Sequence, residues 1–92
     1  MIGSFRHKGL RRFYEKGDSR GLRPDFVARI RQVLSALDAA ETPEELDLPT
    51  FHLHTLTGDR KGTFSVTVRA NWRITFTFRQ GSAYDVNLED YH

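Results

Sequence analysis

Residues 64–79 read FSVTVRANWRITFTFR, and this stretch decides the fold. Apolar and polar residues alternate over 64–68 and again over 72–79. A period of two places apolar side chains on one face of a β-strand and polar side chains on the other. The intervening residues 69–71 are few enough to form a turn. The stretch therefore predicts a pair of antiparallel strands with one apolar face.

The same alternation continues on both sides of this pair. Residues 51–55 and 84–88 also alternate, and glycine-containing turns at 58–62 and 80–82 separate them from it. These runs predict an antiparallel four-strand meander. A further short strand is expected over residues 2–5.

Helical periodicity precedes the sheet. Residues 8–16 place apolar side chains at i, i+3 and i+4, and Gly17 can end this first helix. A second helix begins near Pro24, and its apolar stripe contains Phe26, Val27, Ile30, Val33, Leu34 and Leu37. The expected fold is α+β: one domain over residues 1–92, in which an antiparallel β-sheet meander carries the two N-terminal helices on one face.

The composition excludes several classes of protein. The chain has 92 residues, 38% of them hydrophobic, and no cysteine. This length suits one domain, and the lack of cysteine excludes disulfides, thiolate metal sites and a cysteine nucleophile. No apolar run approaches the roughly 18 residues of a membrane span, and residues 1–5 lack a signal-peptide pattern. We therefore expect a cytoplasmic protein with no membrane contact.

Basic and acidic residues are segregated along the chain, although the formal net charge is only +2. Residues 1–35 carry a net +6 and residues 60–79 a net +5, whereas residues 36–59 carry −6 and residues 80–92 carry −3. Eleven of the 14 basic residues are arginine, which binds phosphate through two parallel hydrogen bonds. The two basic blocks either contact a polyanion such as RNA or form an arginine-rich solvated surface.

The polar side of the sheet is the second candidate for RNA contact. Strand alternation predicts that one face presents His54, Thr67, Arg69, Arg73, Thr75, Thr77 and Arg79. Three arginines among hydroxyl groups suit an RNA-binding platform, but the same composition also suits an ordinary solvated face.

Residues that can carry acid–base chemistry accompany this face. RNA cleavage by internal attack needs a base for the 2′-hydroxyl proton, an acid for the departing 5′-oxygen and positive charge near the phosphate. His54 and His92 suit the proton transfers because histidine titrates near neutral pH. Arg73 would neutralise the phosphate, and Tyr91 would donate to it or orient it.

Structural roles for the same residues stay open. His54 alone suits a surface position, and Tyr91 suits an aromatic that holds down the C-terminus. His52, His54 and His92 lack the carboxylate or cysteine spacing of a zinc site, so no metal is expected.

Four segments in order resemble the HigB branch of the RelE/ParE-like toxins of bacterial type II toxin–antitoxin systems. They are residues 2–10 (IGSFRHKGL), 53–60 (LHTLTGDR), 66–76 (VTVRANWRITF) and 89–92 (EDYH). Together they extend the resemblance over essentially the whole chain. It implies a RelE/ParE-like fold and a toxin that cleaves mRNA codons in the ribosomal decoding site, with neither metal nor cofactor.

The resemblance also implies roles for individual residues. The catalytic set would be His54, Arg73, Asp90, Tyr91 and His92. Asn71 would read a base through its amide. The remaining RNA-binding set would be Arg6, Lys8, Arg11, Arg12, Arg60 and Arg69. Many relatives carry a lysine where this chain has Thr57, so slower cleavage is implied here unless Arg60, Lys61 or Arg73 compensates.

The implied partners are a neighbouring helix-turn-helix antitoxin (HigA-like), the ribosome and its mRNA, with operator DNA bound only through the antitoxin. The antitoxin is expected on the helices and on the acidic segment 38–47. Two other kinds of toxin stay open. ParE-like relatives poison DNA gyrase by binding, although the ending 90–92 argues against a pure binder. A third kind binds immature ribosomes and cleaves weakly, which Thr57 keeps open.

Overall fold

The structure is a computed structural model that describes residues 1–91, and within them it contains two α-helices and a four-strand sheet. The elements are α1 (Lys8–Lys16), α2 (Val27–Ala39), β1 (His54–Thr55), β2 (Thr63–Arg69), β3 (Trp72–Arg79) and β4 (Ser82–Asp90). The strands pair antiparallel in the order β1-β2-β3-β4. The predicted α+β meander with two N-terminal helices is confirmed.

Local chemistry sets both ends of α1 and the approach to α2. The His7 side chain caps α1 by accepting from the Leu10 backbone N–H at 3.1 Å, and burial lowers the pKa of His7, which favours this neutral acceptor form. Gly17 ends α1 with a φ of 69°, a conformation that glycine adopts without a Cβ clash. A short 3-10 turn, Pro24–Phe26, leads into α2.

The helices cover the apolar face of the sheet. From α2, the side chains that become buried are Ile30, Val33, Leu34 and Leu37. They join Leu10 of α1 and sheet residues such as Val66, Ile74 and Val86 in one core. Each fully buried aliphatic side chain stabilises the fold by roughly 1.5–3 kcal/mol. The core therefore fixes the opposite, polar face of the sheet toward solvent.

Two predicted strands are wrong in extent. The expected strand over 51–55 is reduced to His54–Thr55, because His52 takes a φ of 49° that interrupts extended backbone. The expected strand over 2–5 is replaced by two isolated parallel bridges, Ile2 to Ala83 and Phe5 to Val86. Residues 2–5 thus add a partial parallel edge beside β4.

An irregularity in β2 changes the direction of one predicted arginine. The register of β2 against β3 shifts between Thr67 and Arg69. A shift of one residue moves a side chain to the opposite face. Arg69 consequently lies 3.5 Å from the Asp25 carboxylate, near the start of α2, and lines a pocket with Trp72. The prediction that Arg69 shares the polar face with Arg73 is wrong.

The helices are short. Within residues 1–91, neither helix combines the length and the apolar composition that a membrane crossing requires.

Candidate active site

Strand register brings the predicted polar residues onto one face. Across β1, β2 and β3, His54 lies opposite Ser65, and Ser65 lies opposite Thr75. Further along the sheet, Thr67 lies opposite Arg73. Residues directly opposite in a sheet share a face, so these side chains form the polar sheet face. Arg79 lies farther along this face, where its guanidinium stands 4.1 Å from the Tyr84 ring centre.

One cavity opens on the polar sheet face. It has a volume of about 230 Å³ and is lined by His54, Thr55, Leu56, Ser65, Arg73 and Tyr91. We refer to it as the sheet cavity. Three of the five residues predicted to be catalytic therefore meet in one place, although they come from β1, β3 and the segment after β4.

Two residues that line the sheet cavity, Arg73 and Ser65, each have one buried polar atom that no described residue satisfies. Arg73 donates from Nη1 to Thr67 Oγ1 at 3.1 Å, which fixes the guanidinium on the sheet. Its Nε and the hydroxyl of Ser65 are buried and have no hydrogen-bond partner within residues 1–91. A buried unsatisfied polar group costs roughly 1–3 kcal/mol, and more if it is charged. Such groups are rare in folded proteins, and each exception calls for a partner such as a water, an ion or a ligand, or for a catalytic role.

The chain after β4 is held against the same cavity. The Tyr91 N–H donates to the Asn71 carbonyl at 2.8 Å, and the Tyr91 ring centre lies 5.9 Å from the Arg73 guanidinium carbon. Tyr91 is 43% exposed, so its side chain is not buried in the core. This arrangement disfavours the reading of Tyr91 as a core aromatic. Asp90 lies opposite Trp72 in the sheet and is exposed.

His92 lies outside the described residues, so its predicted catalytic role stays a prediction.

A second polar network occupies the neighbouring part of the face. Arg60 donates from Nη1 and Nη2 to the two carboxylate oxygens of Glu89, at 2.8 and 2.7 Å. The Thr75 hydroxyl donates to Glu89 Oε2 at 2.5 Å. Arg60 is the main cause that lowers the pKa of Glu89 to about 2, and Glu89 in turn raises the pKa of Arg60. Glu89 is therefore ionised at neutral pH.

Beside this network lies a groove of about 230 Å³, lined by Arg6, Asp59, Arg60, Thr63, Thr75, Phe76, Thr77 and Asp85. Arg6 is thus placed next to the polar sheet face, although it does not line the sheet cavity.

The other predicted RNA-binding residues are dispersed. Lys8, Arg11 and Arg12 lie on α1 and line a separate surface groove together with Glu15 and Lys16. We refer to these four cations, Lys8, Arg11, Arg12 and Lys16, as the α1 basic surface. Asn71 is exposed in the turn between β2 and β3. The structure brings none of these side chains into the sheet cavity.

Two residues of the site had no predicted role. Ser65 lies within an alternating strand, and only its nearly complete burial distinguishes it from a solvated serine. Glu89 lies in the closing EDYH segment, but nothing in the sequence indicates that Arg60, 29 residues away, is its partner. Within residues 1–91, no group of three His, Asp or Glu side chains is placed to hold a metal ion.

Comparison with known proteins identifies the family of the chain. The chain matches the HigB-like toxin family, described as RelE-like toxin of type II toxin-antitoxin system HigB, over residues 3–92. The chain belongs to this family. A type II toxin is paired with an antitoxin, so an antitoxin is a partner of the protein. One relative is the Endoribonuclease HigB of Proteus vulgaris, which is 52% identical over 92 residues, covering 100% of both chains. The family resemblance predicted from the sequence is confirmed.

Proposed function

We propose that the protein is an endoribonuclease that cuts mRNA in the decoding site of the ribosome. The observation that carries this proposal is the sheet cavity, where the buried Arg73 Nε and Ser65 hydroxyl lack partners among the described residues and lie beside His54 and Tyr91. The name of the relative from Proteus vulgaris, Endoribonuclease HigB, supports the same activity.

The proposed reaction is an internal attack on phosphorus. The 2′-oxygen of one ribose bonds to the adjacent phosphorus while the bond to the 5′-oxygen breaks, which leaves a 2′,3′-cyclic phosphate and a 5′-hydroxyl. Of His54 and His92, one would take the 2′-hydroxyl proton and the other would supply a proton to the 5′-oxygen. This division of labour needs no metal ion.

The remaining groups would act on the charge of the phosphate. Arg73 would donate from its guanidinium to a non-bridging oxygen, and the Ser65 and Tyr91 hydroxyls would add donors. Donors that are already in place stabilise developing charge more than mobile solvent does. Asp90 would orient the C-terminal residues, and Asn71 would contact a base.

The α1 basic surface would hold RNA through its backbone. Lys8, Arg11 and Arg12 are exposed, and Arg6 lies at the edge of the polar sheet face. Cations in such positions bind phosphates without reading sequence. Ribosomal RNA offers a continuous backbone of this kind, so the α1 basic surface suits binding at the ribosome.

The direct test is mRNA cleavage on purified bacterial ribosomes with a defined codon in the decoding site. We expect wild-type protein to cut only in the presence of ribosomes, and we expect His92→Ala to abolish the cut. Growth arrest by a wild-type protein that cuts no mRNA would instead support a toxin that acts by binding gyrase or immature ribosomes.

We propose that the antitoxin is of the helix-turn-helix, HigA-like kind, that it supplies operator binding, and that it docks away from the sheet cavity. A groove of about 250 Å³ between α1 and α2 supports this docking surface; its lining includes Phe13, Tyr14, Arg31 and Asp38. The acidic segment 38–47 begins at the same place. This segment contains a local hydrogen bond, in which the Glu45 side chain accepts from the Thr42 N–H at 2.9 Å.

Affinity for the antitoxin tests this surface. We expect Glu44→Gln to weaken the complex, whereas Asp85→Asn, an equal loss of charge on the sheet side, should leave affinity unchanged. Equal affinity for wild type and Glu44→Gln would refute the docking of the antitoxin on the acidic segment.

A further inference from the structure

Two opposite charges stand directly across from each other on the polar sheet face, yet they do not pair. Arg73 of β3 lies opposite Glu89 of β4. Side chains at such positions have Cβ atoms about 4.5–5.5 Å apart, and opposite charges there attract each other. In this protein they turn away: Arg73 bonds to Thr67 on one side, and Glu89 bonds to Arg60 on the other.

Arg60 pairs with both oxygens of the Glu89 carboxylate. Each guanidinium Nη group donates to one carboxylate oxygen, and Thr75 adds a third hydrogen bond. Two parallel charge-assisted bonds form one of the strongest pairings between side chains, and they fix direction as well as distance. The pair is shielded, with the Arg60 and Glu89 side chains 35% and 22% exposed.

The position of Arg60 in the fold lets it reach Glu89 from outside the sheet cavity. It ends the 3-10 turn Gly58–Arg60, which follows directly after the segment that carries His54 to Leu56 into the sheet cavity. Its guanidinium reaches across to β4 rather than into that cavity. Arg60 therefore holds the carboxylate that lies opposite Arg73 in the sheet.

We propose that Arg60 is a positioning residue that holds Glu89 away from Arg73 and so keeps the Arg73 guanidinium available for the RNA phosphate. This inference rests on the proposed nuclease function and differs from the sequence-based role of Arg60 as an RNA contact. Without Arg60, the cation opposite Glu89 is Arg73, and a Glu89–Arg73 pair would cancel the positive charge of the sheet cavity.

Two substitutions in combination test the proposal. Arg60→Ala should lower kcat by about tenfold or more, a part of the 10²–10³ that a lost phosphate donor costs, with little change in KM. Adding Glu89→Gln should restore most of that loss, because the glutamine carries no charge to place on Arg73. If Arg60 contacts RNA itself, the double variant will be as slow as Arg60→Ala, and this result would overturn the proposal.

A measurement without RNA separates this inference from the proposed function. The NMR resonance of the Arg73 Nε–H should shift in Arg60→Ala, where Glu89 pairs with it, and should return toward its wild-type position in the double variant. An unshifted resonance in Arg60→Ala contradicts the inference even if the protein is a nuclease. If the resonance shifts in Arg60→Ala as expected but the wild-type protein does not cleave RNA, only the proposed nuclease function is contradicted. If Arg60→Ala does not fold, Arg60→Met keeps the packing volume without the charge.

Discussion

The sheet cavity and the α1 basic surface both offer cations, but in opposite physical settings. In the cavity, Arg73 is half-buried, tied to Thr67 and close to the Tyr91 ring. On α1, Lys8 and Arg11 are exposed. Exposed charges attract any polyanion and are screened by salt, whereas a fixed, partly buried charge acts on one phosphate. Under the proposed function, the cavity would therefore carry the catalysis and the helix would supply the affinity.

The largest expected effect comes from emptying the cavity of its charge. Arg73→Ala should lower kcat for mRNA cleavage by about 10²–10³, the usual cost of losing a donor to transition-state charge. KM should change little, because the helix cations still hold the RNA. Single-turnover cleavage on ribosomes measures the two constants separately.

Arg79→Ala is the matched control for this loss. Arg79 lies on the same strand as Arg73, but its guanidinium stacks over Tyr84 and lines neither the cavity nor the neighbouring groove. Its kcat should stay close to wild type. Equal losses of kcat in Arg73→Ala and Arg79→Ala would mean that the reaction depends on the total positive charge of the sheet. That result would contradict a special role for the sheet cavity.

Removing charge from α1 should have the opposite signature. Lys8→Ala and Arg11→Ala should raise KM while kcat is retained, and each should reduce the slope of log affinity against log salt by about 1. Titration of the ribosome complex at several salt concentrations measures this slope. Arg20→Ala removes a cation that is already paired with Asp18 and should leave the slope unchanged. A fall in kcat at unchanged KM would place α1 in the chemistry instead.

Position 57 offers a smaller gain. Thr57 is exposed, and its carbonyl accepts from the Arg60 N–H at 3.4 Å where the Gly58–Arg60 turn begins. Thr57→Lys should raise kcat by less than about tenfold, because one exposed charge contributes about 1 kcal/mol or less. Thr57→Met, which adds length without charge, should give no gain. If Thr57→Lys is no faster than wild type, a charge at position 57 does not contribute to kcat.

The smallest effect concerns stability. Because Arg60 lowers the pKa of Glu89 from 4.5 to about 2, the pair stabilises the fold fully above pH 4.5. That contribution is lost as the pH falls from 4.5 toward 2. Thermal unfolding should therefore show a wild-type Tm that falls more steeply over this range than that of Glu89→Gln, by a few degrees, since 1 kcal/mol moves Tm by roughly 4–8 °C in a small domain. Parallel curves would contradict the pairing.

Hydrophobic periodicity predicted the antiparallel sheet and the helices that cover it, because alternation in β3 and the apolar stripe on α2 each define a buried face. It failed where single residues leave the regular pattern. The positive φ of His52 shortens β1, and the register shift after Thr67 turns Arg69 toward Asp25. Neither event has a local sequence signal such as glycine or proline.

The candidate site was predictable in part for the same reason. His54 and Arg73 lie at positions that alternation assigns to the polar face, and the register brings them together. Acid–base and hydrogen-bonding chemistry indicated His92 and Tyr91, and the family resemblance added Asp90. The Arg60–Glu89 pair was not predictable, since it depends on how a loop crosses the finished sheet.

The central claim is that the sheet cavity cleaves RNA through the 2′-hydroxyl. The most direct test is single-turnover cleavage, on ribosomes, of an mRNA with one 2′-deoxyribose at the scissile nucleotide, compared with the all-ribose mRNA. We predict that the ribose substrate yields a 2′,3′-cyclic phosphate and that the deoxy substrate is not cut at that bond. Cleavage of both substrates at equal rates would contradict the account.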